Sequence, residues 1–262
     1  MKISIIGAGA MGGAMAEGLI KGDYIKNEDI CIADPSRVMR EKFANMGITA
    51  TPSNQLAAQG ADIVCVVVKP WLVEQVLRGI KDVLDYKQQL LVVVAAGVSS
   101  ASIKEWMDKE GTMIPTFLVI PNIAIAQLQS MTFIAPAAAV EPDHINAVKT
   151  LFDSMGHTII TEESHLAAGT TLASCGIAYA MRYVRAASEG GVELGFKADE
   201  AKQIVMQTMR GAVELLQATG LHPEAAIDLV TTPGGVTIKG LNEMEHAGFT
   251  SSVIKGLKAG AK

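Results

Sequence analysis

Aromatic residues are scarce in this chain, at 5% of 262 positions, and charged residues reach only 19%. With 49% hydrophobic residues, that balance suits a compact α/β protein whose core is made of Val, Ile, Leu, Ala and Met rather than rings. Basic excess is also missing. The 22 Lys and Arg stand against 27 Asp and Glu, and the net charge of −5 gives no footprint for nucleic acid or anionic lipid. No run approaches the roughly 18 apolar residues of a membrane span. Cysteine is rare and odd in number. Cys31 and Cys65 fall inside apolar runs and Cys175 in a small-residue helix, without CxxC spacing, which predicts core thiols rather than disulfides or a zinc site. His144, His157, His165, His222 and His246 are scattered with no HExxH pairing, so no metal centre is expected. The chain starts directly on an apolar run, leaving no room for a signal peptide, and a cytoplasmic protein is expected.

What is present is concentrated at the start. Lys2 to Ile6 form a short apolar run, followed by Gly7-Ala8-Gly9-Ala10-Met11-Gly12 and a stretch of helical period with Met15, Leu19 and Ile20. A strand, a tight glycine turn and a helix start follow in the order that a dinucleotide site requires. Gly7 permits the turn, Gly9 lets a pyrophosphate approach the backbone, and Gly12 lets the helix pack on the sheet. The first free amides of the helix then face the phosphates. Beyond it, the runs 30–33, 48–50, 63–68, 90–94, 114–119, 132–135 and 158–160 alternate with helical segments near 12–21, 37–46, 54–59, 71–85, 100–109 and 143–154. Continuous runs such as Ile63 to Val68 indicate strands buried on both faces, hence a parallel sheet under helices. The predicted fold class is α/β, a doubly wound Rossmann-type sheet over residues 1–161.

After Glu162 the strands stop. Residues 164–191 read as one long Ala- and Gly-rich helix. Residues 199–219 read as a second, with Asp199 as a possible N-cap and Gly220 closing it. Shorter helices follow near 224–230, 236–247 and 251–258. An all-α tail over 162–262 carries more apolar surface than its size can bury, and a homodimer is expected to cover it; a helical cap folded back on the sheet is the alternative.

Three further places suggest chemistry. Asp34 lies where an acidic side chain accepts from an NAD ribose, yet Ser36 and Arg37 follow, and Arg suits a 2′-phosphate. Asp34 is alternatively a helix cap. The cofactor is therefore NADPH or NADH. Val67-Val68-Lys69-Pro70 and Ala95-Ala96-Gly97 close two strands at the carboxyl edge, where ligands of open sheets bind and where small residues leave room for a flat ring. Thr231-Thr232-Pro233-Gly234-Gly235-Val236-Thr237 interrupts the helical half with a turn whose successive amides form a concave anion site, suited to a carboxylate.

Together these segments resemble the pyrroline-5-carboxylate reductase family along essentially the whole chain. The resemblance is carried by the opening glycine turn, Val68-Lys69-Pro70, Ala95-Ala96-Gly97-Val98, Pro121-Asn122, Gly176-Ile177-Ala178-Tyr179, Glu189-Gly190-Gly191 and Thr232-Pro233-Gly234-Gly235-Val236-Thr237-Ile238. It implies reduction of a small cyclic imine carboxylate to proline by NADPH or NADH. Asn54 and Val67 to Pro70 would touch the cofactor. Gly234, Gly235, Val236 and Thr237 would hold the substrate carboxylate, with the Thr237 hydroxyl as a catalytic donor. It also implies an intertwined homodimer that assembles further. Two segments depart from the family pattern. Leu118 to Ala124 stands where the family reads Arg-x-Met-Pro-Asn-Thr-Pro, and Ala173 to Tyr179 where it reads Ser-Gly-Ser-Gly-Pro-Ala-Tyr. A β-hydroxyacid dehydrogenase would need a lysine base in the long helix, and 164–191 contains only Arg182 and Arg185. Two further functions fit the same motifs: reduction of a different cyclic imine, and nucleotide binding by a non-catalytic regulator of the same fold.

Overall fold

The computed structural model describes residues 1–261. Its first part runs β1 (Ile3–Ile6), α1 (Ala10–Gly22), β2 (Ile30–Ala33), α2 (Arg37–Ala44), β3 (Thr49–Thr51), α3 (Asn54–Ala58), β4 (Ile63–Val66), α4 (Pro70–Ile80), β5 (Leu90–Val93), α5 (Ser100–Met107), β6 (Thr116–Ile120), β7 (Ser130–Ala138), α6 (Pro142–Asp153) and β8 (Gly156–Ile160). One sheet holds all eight strands in the order β3-β2-β1-β4-β5-β6-β7-β8. The apolar runs mark these strands because both faces are covered. Ile3 and Ile5 of β1 face one buried cluster with Met15 and Leu19 of α1. Ile6 faces the other, with Val73 and Leu77 of α4. Each such side chain, fully buried, contributes about 1.5–3 kcal/mol. Short helices begin where side chains cap them: Ser36, Ser53 and Ser99 accept the amides of Met39, Leu56 and Ser102.

The sheet departs from a wholly parallel one at a single pairing: β7 runs antiparallel to β6, then pairs in parallel with β8. Residues 121–129 between β6 and β7 hold only a short 3₁₀ turn, Ile123–Gln127. That is too short for the helical crossover a parallel neighbour needs, so the chain turns back. Beyond it, Asp153 at the end of α6 is bonded by Lys149 and by the Thr158 hydroxyl of β8. Burial pushes its carboxyl up, but these two partners outweigh it and hold the group below its ordinary value.

The chain divides into two compact units, Met1–Ile177 and Ala178–Gly260. The first reaches past the boundary expected at residue 161. Leu166 packs on the core, and Gly169 lies so close to Phe133 that a Cβ there would sit 2.8 Å from the ring. The single long helix expected over 164–191 is interrupted: α7 (Leu166–Gly169) passes through a π turn (Thr170–Ser174) into α8 (Cys175–Glu193). The second unit continues with α9 (Ala198–Thr219), α10 (Pro223–Asp228), α11 (Val236–His246) and α12 (Phe249–Gly260). Lys197, not Asp199, is the cap residue of α9, its amide donating to the Glu200 carboxylate at 3.2 Å. Gly220 does close α9, in a left-handed conformation with φ 63°. No residue of α8, α11 or α12 is buried, and α9 buries only Ala201. Among the described residues no helix is long and apolar enough to cross a membrane.

Candidate active site

The glycine turn between β1 and α1 has three distinct jobs. Gly7 adopts φ +101°, and a Cβ on it would meet the Val67 carbonyl at 2.3 Å, where β1 and β4 run side by side. At Gly12 a Cβ would lie 1.9 Å from the Gly7 carbonyl, so only glycine lets α1 start this close to the strand. Gly9 is different: a Cβ there would meet nothing within 4 Å. The first helical bond of α1 runs from the Gly13 amide to the Gly9 carbonyl at 2.8 Å. The amides of Ala10, Met11 and Gly12 therefore precede the ladder, and no side chain caps them. A bare turn with free amides and open space at its middle glycine fits a pyrophosphate.

Asp34 lines the cleft, is engaged by the backbone and is not the cap of α2. Its carboxylate accepts the Ala8 amide at 2.7 Å and the Ser36 amide at 2.8 Å, tying the end of β2 to the glycine turn. The cap of α2 is Ser36, and the helix begins at Arg37. Arg37 lies on the surface in an i,i+4 pair with Glu41 at 2.7 Å. The arginine that shapes this loop is Arg40, whose Nη1 donates to the carbonyls of Asp34 and Pro35, each at 2.8 Å. No spacing rule in the sequence singles Arg40 out.

A cleft of about 450 Å³ follows the carboxyl ends of the strands. It brings together Gly7, Gly9, Ala10 and Met11 after β1, Asp34 after β2, Val67 to Pro70 after β4, and Ala95 and Ala96 after β5. Pro70 starts α4 directly behind Lys69. Ala8 and Gly12 are buried behind the turn instead. Ser36, Arg37, Asn54 and Gly97 are not among the residues lining this cleft. The far end consists of Ile120, Pro121, Thr170 and Ser174. No sequence signal marks Thr170 and Ser174, because only the fold-back of the chain through the π turn places them there. Leu118, at the family arginine position, is 2% exposed in the core and so does not alter the cleft wall; Ile120 and Ser174, which stand where the family has methionine and glycine, do.

In the second unit the Gly234–Gly235 turn precedes α11. Gly234 takes φ +72°, and a Cβ on Gly235 would lie 2.4 Å from the Thr232 hydroxyl oxygen. The Gly235 amide donates to the Thr232 carbonyl at 2.9 Å, so it is engaged within the turn rather than offered to an anion. The amides of Val236 and Thr237 open α11, with no side chain capping them and Val236 85% exposed.

Two family models match the chain. Residues 163–262 match pyrroline-5-carboxylate reductase dimerisation, and residues 2–97 match NADP oxidoreductase, coenzyme F420-dependent. Pyrroline-5-carboxylate reductase 2 of Dictyostelium discoideum is 32% identical over 99% of this chain and 91% of its own length. Pyrroline-5-carboxylate reductase 1 of the same organism is 35% identical over 97% of this chain, which spans 48% of that longer protein. Among solved structures, a pyrroline carboxylate reductase of Plasmodium falciparum with NADP bound superposes with a TM-score of 0.90 at 26% identity, covering 100% of this chain and 95% of that one. The chain that carries the opening turn, the strand-end cleft and the two-glycine turn thus belongs to the pyrroline-5-carboxylate reductase family.

Proposed function

We propose that this protein reduces Δ1-pyrroline-5-carboxylate to proline with NADPH or NADH. One observation carries the reading: a chain of this family keeps both an open phosphate turn at Gly9 and the helix-opening amides of Val236 and Thr237. NADPH is the favoured reductant, since a solved relative holds NADP and the Asp34 carboxylate is already engaged by two backbone amides.

When bound, the dihydronicotinamide supplies a hydride equivalent to the imine carbon. The protein's part is orientation. The amides of Ala10 and Met11 take the pyrophosphate, and the Ala95–Ala96 strand end leaves space for a flat ring. Val236 and Thr237 amides seat the substrate carboxylate, with the Thr237 hydroxyl as a further donor. As the carbon gains hydride, the C=N electron pair moves to nitrogen, which becomes the amine of proline. Among the residues lining the cleft, only Asp34 and Lys69 are ionisable, and Asp34 is held by amides. An imine nitrogen already protonated on arrival needs no strong side-chain acid at the reacting atoms, and Lys69 is the one cleft cation that could otherwise supply the proton.

A homodimer completes the molecule. The helical unit leaves Met181, Ile204, Met206, Val213 and Ile254 each about half exposed or more, a surface that a second copy covers. Three free cysteines, with burial pushing the Cys65 thiol up to about 12, suit a reducing cytoplasmic setting. The test is stoichiometry: with the imine supplied, one proline is formed for each dinucleotide oxidised. Dinucleotide binding without proline formation would leave only a nucleotide-binding protein.

A further inference from the structure

The two ends of the cleft differ chemically. Around Gly9 to Met11 the wall follows the glycine turn; toward β6 it is apolar, with Ala95, Ala96, Ile120 and Pro121, joined by two hydroxyl-bearing residues, Thr170 and Ser174. Thr170 Oγ1 donates to the Leu166 carbonyl at 2.7 Å, so its proton is used inside the helix. The Ser174 hydroxyl is engaged by no hydrogen bond among the described residues.

Ser174 is also held in place. It ends the π turn, a wider turn that rotates the residues after it. Asn122, 3% exposed, braces that turn through a long contact of 3.5 Å from Nδ2 to the Ala173 carbonyl. Asn122 is itself fixed, its Oδ1 accepting from the Ala124 amide at 3.0 Å and its own amide donating to Ser130 Oγ at 3.1 Å. A buried amide thus sets the carbonyl beside the free hydroxyl.

Building on the dinucleotide reading above, we infer that Ser174 binds the carboxamide of the nicotinamide ring. The flat ring suits the apolar lining, but its carboxamide carries a carbonyl and an amino group that must not lose water without a partner. A serine hydroxyl donates to the first or accepts from the second. A substrate carboxylate calls for several donors at once, which one hydroxyl does not provide.

Equilibrium titration of intrinsic fluorescence tests this directly, with NADPH and with its adenosine bisphosphate fragment, which lacks the nicotinamide. Ser174→Ala raises the NADPH Kd about three- to tenfold, the size of one hydrogen bond, and leaves the fragment's Kd unchanged. Ser174→Thr, which keeps the hydroxyl, stays closer to wild type. Equal NADPH affinity in wild type and S174A overturns the inference. Equal weakening of NADPH and the fragment also overturns it, since that reports a damaged fold. So does a raised KM for the imine at unchanged NADPH Kd, which would put the hydroxyl on the substrate. Wild type that binds neither ligand overturns the dinucleotide reading itself, an outcome that the variant comparison keeps separate.

Discussion

The carboxylate of Asp34 grips the amide of Ala8 at 2.7 Å, and through that bond the end of β2 sets the shape of the glycine turn after β1. Its other oxygen holds the Ser36 amide at 2.8 Å. The acidic position that in many dinucleotide folds meets a ribose hydroxyl is used here to brace the glycine turn.

Removing that clip leaves the amide of the fully buried Ala8 without an acceptor. Asp34→Ala is expected to cost about 1–3 kcal/mol of stability and to weaken NADPH and NADH by the same factor. Asp34→Asn keeps one acceptor and loses less. Chemical denaturation and titration with both dinucleotides check this. A loss confined to NADH would make Asp34 a ribose ligand instead.

Gly9 and Gly12 separate folding from binding. Alanine at Gly12 would drive its Cβ to 1.9 Å from the Gly7 carbonyl, whereas at Gly9 it enters open space with φ at −66°. Gly12→Ala is expected to destabilise by several kcal/mol. Gly9→Ala keeps the melting temperature and lowers NADPH affinity by about tenfold or more, because the methyl occupies the approach of the pyrophosphate. Unchanged NADPH affinity in Gly9→Ala would remove the phosphate from this turn.

Dimerisation has an equally simple test. Met206 and Val213 lie two turns apart on one face of α9, 48% and 53% exposed. Aspartate at both puts charge into the surface a second copy would cover, and light scattering should then give the mass of one chain. A mass of two chains in the double variant would place the interface elsewhere.

Thr237→Ala removes a hydroxyl donor while leaving the α11 amides in place. Its expected effect is a fall of about tenfold in kcat/KM for the imine with no change in NADPH Kd, and partial recovery in Thr237→Ser. An unchanged kcat/KM would take Thr237 out of the carboxylate seat.

The sheet was legible because buried strands have to be apolar on both faces, and Ile63 to Val68 or Leu90 to Val94 leave little room for another element. The direction of β7 was not, since pairing direction is set by the short connection at 121–129 rather than by the strand's own residues. The helical break at Thr170–Ser174 was hidden for another reason: a π turn uses the same Thr, Ala and Ser that an α-helix accepts. The roles of Gly7 and Gly12 could be assigned from spacing alone, because each answers to a steric demand within the chain. Asp34 could not, because its partner Ala8 is 26 positions away. For Gly235, amide engagement depends on local turn closure onto Thr232, which a motif does not display.

The most direct measurement of the central claim is the loss of dihydronicotinamide absorbance when Δ1-pyrroline-5-carboxylate is added to the protein with NADPH, repeated with NADH and with the six-membered imine homologue. Saturable oxidation is predicted with the five-membered imine, faster with NADPH, and with one proline formed per dinucleotide. No oxidation of either dinucleotide by a preparation that binds NADPH, or turnover with the six-membered imine alone, would contradict it.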